Sequence, residues 1–442
     1  MSGEKKNYYE ISIKLHEIYR GKLEVFPKVP VETRDHFSVW YTPGVAGPSR
    51  EIHRDPDKSF MYTWRWNTVA VVTDGTRILG LGDIGPEAGL PVMEGKALLF
   101  KYLGGVDAVP LALATKDPDK FIEIVKLLEP SFGGVNLEDI ESPKCFYILD
   151  KLREILNIPV WHDDQQGTAL VTLAALFNAL KLVGKKISEV KIAIIGAGAG
   201  GYRIHHYLLL AGAKPQNIIV TDSKGIIYDG RPDLDSPRNQ HKKWIAKNSN
   251  PEKITGGIPE AMKGSDVVIA ISKPGPGVIK KEWVKTMASD PIVFALANPV
   301  PEIWPWEAKE AGAKIVATGR SDFPNQVNNS LGFPAVFRGA LTVMAKKITD
   351  GMALAAAEAL AKYAEEKGLS EDYIIPSMNE TGAYIKEALA VAQKAIEEGV
   401  ARRKPSTTEL EEEIKTLIER PKKYLNIAIN NMLIIDHTKK FF

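Results

Sequence analysis

The sequence predicts an α/β protein of two domains, and three observations carry that prediction. Its 442 residues exceed what one hydrophobic core ordinarily organises. Along most of its length, β-branched apolar runs alternate with amphipathic stretches, the pattern of a largely parallel sheet covered by helices. A glycine-rich turn at residues 196 to 201 stands between a strand-like run and a helical one, as at the start of a Rossmann-like, doubly wound nucleotide-binding sheet.

The elements follow in order. Tyr8 to Ile18 reads as a helix stopped by Gly21, after which the prolines of VFPKVPVETRDHFSVWYTPG break any helix and the chain wraps the first domain. NTVAVVTDGTRILGLGD reads as strand, turn at Asp74-Gly75 and strand, a hairpin-like pair. Pro91 precedes the helical spacing of MEGKALLFKYLGG, closed by Gly104 and Gly105. DAVPLALA is a buried strand and DPDKFIEIVKLLEP an amphipathic helix with an acidic first turn. The alternation continues through GGVNLEDI, CFYILDKLREIL and IPVWHDD, giving the first domain a largely parallel sheet.

A long helix from Gly167 to Gly184 leads to the strand VKIAIIGAGAGG and a second alternating set reaching about residue 346. The boundary is set near residues 164 to 168, with domains at 1–165 and 166–390. Two Ala- and Glu-rich helices close the second domain, and 391–442 form a C-terminal helical extension.

Composition narrows the function. Apolar residues at 44% and charged residues at 25% are globular averages. A net charge of +2 with no basic cluster argues against a nucleic-acid or anionic-membrane partner. The longest apolar stretch, 169 to 183, is interrupted by Asn178 and Lys181 and falls short of the roughly 20 residues a span requires. The N-terminus has charge but no apolar signal core, so a cytoplasmic protein is expected. The single cysteine, Cys145, reads as a small buried hydrophobe.

Gly196, Gly198 and Gly201 form G-x-G-x-x-G with a strand before and a helix after. A Cβ at these positions would keep backbone from a pyrophosphate, and the helix start behind them offers free N–H groups. Asp222 ends the next strand 21 residues past Gly201, where a carboxylate accepts from the adenosine ribose hydroxyls. That favours NAD, while Lys224 two residues on leaves NADP open.

Two acidic pairs flank the domain junction, Glu138-Asp139 and Asp163-Asp164. Taken singly, each is more often a solvated pair or an acidic helix start. Converging in a cleft, they would repel unless a hard divalent ion, Mg²⁺ or Mn²⁺, held them. Tyr41 and Lys96 are bland in isolation, but a lysine kept from water near a cation becomes a base near neutral pH.

In order, FPKVPV, YTPGVA, VVTDGTRILGLGDIG, MEGKALLFK, FGGVNLEDI, HDDQQGTA, GAGAGG, LANPVPE and TGRSDFPNQVNNSLGFPAVFRGAL resemble the malic enzyme family from about residue 24 to about residue 390. The chain looks most like the shorter prokaryotic branch, without the acyltransferase-like domain that some members carry. The resemblance implies Glu138, Asp139 and Asp164 as metal ligands, with Asp163 beside them or assisting the lysine. It implies Lys96 as general base, Tyr41 as general acid, Arg77 as the grip on a substrate carboxylate, and Asn298 and Asn329 as contacts to malate. Asn298 also borders the cofactor, and a homodimer or higher homo-oligomer is expected. Two positions depart from close relatives: Gln166 stands where histidine is usual, and Phe323 where tyrosine is.

The activity so implied is oxidative decarboxylation of L-malate to pyruvate and carbon dioxide with reduction of NAD(P). A dehydrogenase that stops at the keto acid would have no use for the acidic cluster. A silent dinucleotide-binding protein would have no reason to keep Tyr41, Lys96 and the carboxylates together.

Overall fold

A computed structural model describes residues 7–442; the first six residues, on which part of the signal-peptide reading falls, lie outside the described residues. The first sheet has the order β2-β1-β3-β4, with β1 Thr68–Thr73, β2 Asp107–Ala112, β3 Gly134–Leu137 and β4 Val160–His162. All its pairs are parallel, with Thr68 beside Asp107 and Val69 beside Gly134. The second sheet has the order β10-β9-β8-β5-β6-β7. Its strands are β5 Ile192–Ile195, β6 Ile218–Asp222, β7 Gly225–Ile226, β8 Val267–Ala270, β9 Ile292–Ala295 and β10 Ile315–Thr318. Only β7 among these runs antiparallel. β1, β3, β5, β8 and β9 are buried along their whole length, which is why they read as continuous apolar runs.

Strand order reverses beside β1 in one sheet and beside β5 in the other. Such switch points open a crevice outside the carboxyl ends of the strands. The residues singled out from the sequence cluster there: Glu138 and Asp139 follow β3, Asp163 and Asp164 follow β4, Gly196 follows β5, and Asn298 lies just past β9.

Two local expectations are corrected. The hairpin does not form: after Thr73 the chain runs as a loop to Gly85, with one isolated bridge between Ile78 and Gly82. Gly75, at φ +72°, packs so closely that a Cβ would lie 2.2 Å from the Gly85 carbonyl carbon. Nor does Pro91 precede its helix, which spans Pro86–Gly104 and takes Pro86 as its first residue.

One apolar core joins the sheets: Val69, Val71 and Phe100 share it with Ile192, Ile194, Phe333 and Phe337. The Thr168–Leu182 helix is buried almost all round within it. The C-terminal helix Thr407–Asn430 adds Leu410, Ile414 and Ile418 to the same core. It crosses the end of the Pro86–Gly104 helix so closely that a Cβ on Gly105 would lie 2.1 Å from the Leu417 carbonyl oxygen. No helix among the described residues is long and apolar enough to cross a membrane.

Candidate active site

The acidic centre is built from chain turns that the sequence forces. After β3, Asp139 takes a left-handed conformation, φ +54°, a strained geometry for a residue with a Cβ. Its backbone N–H donates to Asp164 Oδ2 at 2.9 Å, and its own Oδ1 accepts from the Leu79 N–H at 3.3 Å. After β4, Asp163–Gly167 form a π-helical turn, a feature enriched at functional sites. Gly167 is required there, because a Cβ would fall 1.9 Å from Asp163 Oδ1.

Carboxylate oxygens of Glu138, Asp139 and Asp164 lie within 4.8 Å of one another. Burial, joined by repulsion from neighbouring carboxylates, raises Glu138 well above the usual range and pushes Asp139 up to about 8. Asp139 Oδ2 is buried without a hydrogen-bond partner. Converging oxygen donors, one of them orphaned, and mutual repulsion are what a hard divalent cation relieves, so these residues fit Mg²⁺ or Mn²⁺.

Lys96 reaches the same place from the Pro86–Gly104 helix. Its Nζ bonds Asp163, lies 3.2 Å from Glu138 Oε1 and 3.3 Å from Asn329 Oδ1, and sits 4.5 Å from the Phe333 ring centroid. Burial lowers its proton affinity, but Asp163 and Glu138 outweigh burial and hold the ammonium above the usual lysine value. The sequence expectation of a depressed lysine is thus reversed while these carboxylates carry charge. Asp163 is itself fixed by the Trp161 indole N–H at 3.1 Å.

Arg77 is exposed on the β1 loop. Its backbone N–H donates to the Asp139 carbonyl at 3.0 Å, and its charge favours the ionised forms of Asp139 and Asp164. Asp74, which the sequence reading passed over, anchors this loop: it accepts from Thr76 Oγ1 at 2.6 Å and pairs with Lys144 at 2.7 Å. Asn298 is exposed past the carboxyl end of β9; a Cβ on Gly319 would lie 2.6 Å from its Nδ2, and one on Gly80 would lie 3.3 Å from its carbonyl oxygen. The β1 loop thereby meets the second sheet across the crevice. Tyr41 is not brought to this cluster; the residue is 75% exposed on the N-terminal segment.

At the glycine turn, Gly196 has φ +117° and a Cβ there would lie 2.4 Å from the Ile271 carbonyl oxygen. A Cβ on Gly201 would lie 1.9 Å from the Gly196 carbonyl oxygen. Gly198 faces open space and caps the Ala199–Leu210 helix, leaving a cradle that a pyrophosphate fits.

Asp222 differs from expectation. It is clamped by Arg231, at 2.6 and 3.0 Å, and by Lys242 at 2.8 Å. Burial opposes its charge, but these cations hold it down to about 2. Lys224 Nζ lies 3.4 Å from Asp233. The G-x-G-x-x-G spacing locates the acid but carries no signal for Arg231 or Lys242, which arrive from later in the chain.

Of the two departures from the family pattern, Gln166 lies in the turn that carries Asp163 and Asp164, and Phe323 lies beyond β10. Gln166 Oε1 accepts from the His162 backbone N–H at 3.1 Å, and Phe323 lies beside the stacked rings of Trp304 and Trp306. Cys145 is buried, and burial raises its thiol well above the ordinary value.

Fold and site together define a class: a two-domain α/β enzyme with a dinucleotide cradle facing an acidic centre. Residues 20–153 match the family described as malic enzyme, N-terminal domain, and residues 165–396 match malic enzyme, NAD binding domain. The chain belongs to the malic enzyme family. It is 51% identical over 412 residues to the bifunctional malic/malolactic enzyme of Bacillus subtilis (strain 168), covering 92% of this chain and 98% of that protein. It is 46% identical over 398 residues to the NADP-dependent malic enzyme of Escherichia coli (strain K12), covering 87% of this chain and 51% of that one. Among solved structures, a malic enzyme of Entamoeba histolytica superposes with a TM-score of 0.95 at 49% identity, over 98% of this chain and 91% of that chain. One from Pyrococcus horikoshii Ot3 gives 0.89 at 55%, over 94% and 97%.

Proposed function

We propose that this chain oxidises L-malate with NAD(P) and decarboxylates the product to pyruvate. The observation that carries the reading is Lys96 beside three carboxylates suited to one cation. Glu138, Asp139 and Asp164 hold that cation, and Arg77 grips a substrate carboxylate in the two-pronged manner of a guanidinium. Asn329 and Asn298 orient malate from the second domain's side. When bound, the cation polarises the C2 oxygen and neutralises the carboxylates that otherwise keep Lys96 protonated, while the nicotinamide takes up hydride.

The proton route then closes. Lys96 removes the proton of the C2 hydroxyl, Asp163 and Asn329 keep the amine aimed, and Tyr41 donates a proton to C3 once carbon dioxide has left. Lys96 restores the proton of Tyr41, so the hydroxyl proton ends on C3 and none is gained or lost overall.

Asp222 does not decide strictly for NAD. Its charge is taken up by Arg231 and Lys242, two cations equally able to face a 2′-phosphate, so we propose that both dinucleotides are accepted. Assays with malate, Mn²⁺ and each dinucleotide should release carbon dioxide and reduced cofactor in equal amounts. Reduced cofactor without carbon dioxide would point to a plain dehydrogenase instead.

A further inference from the structure

The string LANPVPE ends in an acid that the reaction proposed above leaves unused. Glu302 is fully buried, and among the described residues no cation pairs with it. A buried carboxyl group is costly unless hydrogen bonds replace the water it has lost. Here they do. Its Oε1 accepts from the Ser272 N–H at 2.8 Å and from Ser272 Oγ at 3.2 Å, and its Oε2 accepts from the Ala297 N–H at 3.1 Å.

Those donors stand at two separate turns of the chain. Ser272 comes two residues after β8 and Ala297 two residues after β9, parallel strands that place Ala270 beside Ala295. One side chain therefore ties together the turns that form the second sheet's rim of the crevice. The backbone adds two bonds between them, from the Gly275 N–H to the Val300 carbonyl at 3.2 Å and from the Ile279 N–H to the Glu302 carbonyl at 3.1 Å. Each turn carries part of the site. A Cβ on Gly196 would lie 3.2 Å from Ser272 Cα, so the first turn borders the glycine cradle. Asn298 follows Ala297 and lies against Gly319, whose carbonyl accepts from Asn328 Nδ2 at 3.2 Å, one residue before the Asn329 that meets Lys96. On the opposite side, a Cβ on Gly80 would lie 3.5 Å from both Pro274 Cγ and Pro299 Cδ, so the loop that carries Arg77 rests on both turns.

We propose that Glu302 is a positioning residue, which touches neither malate nor dinucleotide but fixes Asn298 and the Ser272 turn where both ligands meet them. The inference rests on the reading of the crevice as the place where malate and dinucleotide come together. An apolar side chain would leave the Ser272 and Ala297 N–H groups without acceptors, and each turn would move to find another. Displacements of about 1 Å at such a rim are felt in binding and turnover.

The test compares Glu302→Gln with Glu302→Ala in the full chain. The amide keeps one oxygen. Ser272 offers two donors, so that oxygen goes to Ser272 and the amide N–H is left facing the Ala297 N–H. Glu302→Gln should therefore bind NADH within about threefold of wild type in a fluorescence titration, while its KM for malate rises about 10-fold. Glu302→Ala releases both turns, and its affinity for NADH should fall about 10-fold as well. Melting curves establish that each variant is folded at the assay temperature, and if Glu302→Ala is not, Glu302→Gln carries the comparison against wild type. Rescue of NADH binding by the amide while malate is still lost is a split that a general loss of stability does not produce. Wild-type constants in a folded Glu302→Gln protein, or equal losses of NADH and malate in it, would overturn the positioning role and leave the reaction standing. A wild type that binds NADH but does not turn over malate would instead overturn the reading of the crevice, and the role of Glu302 towards Asn298 with it.

Discussion

At the scale of single residues, Lys96 is buried among partners drawn from distant parts of the chain. Its amine meets Asp163, Glu138 and Asn329, which come from three separate parts of the chain. Lys96→Ala should lower kcat by about 100-fold or more, as loss of a general base does, with a much smaller rise in the KM for malate. Equal changes in the two constants would mean that the lysine only binds. The carboxylates make a separate prediction. Three buried acids and a half-buried fourth repel one another, so Mn²⁺ without substrate should raise Tm, and Glu138→Gln should shrink that rise. Scanning calorimetry with and without Mn²⁺ checks it; an unchanged Tm in the wild type would leave the cluster without its cation. The sequence displayed these acids and the lysine as residue types, but not their supports. Asn329 and Phe333 touch Lys96 only because tertiary folding brings them there, whereas Trp161 and Asn136 stand two residues before the Asp163 and Glu138 they bond, a local support that residue type alone does not announce.

At the scale of elements, the glycine turn separates folding from binding. Gly201 is needed by the backbone, since its Cβ would collide with the Gly196 carbonyl, whereas Gly198 has open space before it. Gly201→Ala should therefore lower Tm by several degrees, in keeping with about 1–3 kcal/mol for forced overpacking. Gly198→Ala should melt close to wild type yet bind either dinucleotide more weakly, because the methyl group enters the cradle. Melting curves and fluorescence titration with NADH distinguish the two; a Gly198→Ala protein with unaltered affinity would show that the cofactor lies elsewhere. The strand, glycine and helix of this unit were legible because a strand of Ile and Ala, a forced turn and an amphipathic helix each leave a local signature. RILGLG misled for the complementary reason. Its apolar residues resemble a strand, but Leu79 and Leu81 remain exposed while Asp74, Gly75 and Asp139 pull the backbone into a loop.

At the scale of the whole molecule, alternation along the sequence was enough to expect two sheets, while the way they are joined depends on contacts between distant residues. One such joint is aromatic. Phe146, on the Lys144–Ile155 helix of the first sheet's layer, packs 5.0 Å from Tyr202 and 4.6 Å from His241, which belong to the helices that carry and flank the glycine turn. His205, on the same helix as Tyr202, lies 5.4 Å from Trp244 and shares a hydrogen bond with the Asn248 carbonyl at 3.1 Å. Burial holds both histidines neutral down to about pH 4; Lys242 adds to the effect on His241, with Asp222 and the Ala197 backbone opposing, and His206 adds to it on His205. In the unfolded chain they take up protons below about 6.5. Unfolding thus binds protons between those values, so this contribution is complete above pH 6.5 and is lost as pH falls towards 4. Each histidine accounts for up to about 3 kcal/mol over that interval. Urea midpoints for the wild type should fall steeply from pH 6.5 to 4, and those of His205→Gln/His241→Gln should fall less. Parallel profiles would place the acid-sensitive groups outside this joint. Because the same helices hold the dinucleotide cradle, affinity for NADH should decline along the wild-type profile as pH falls from 6.5 towards 4.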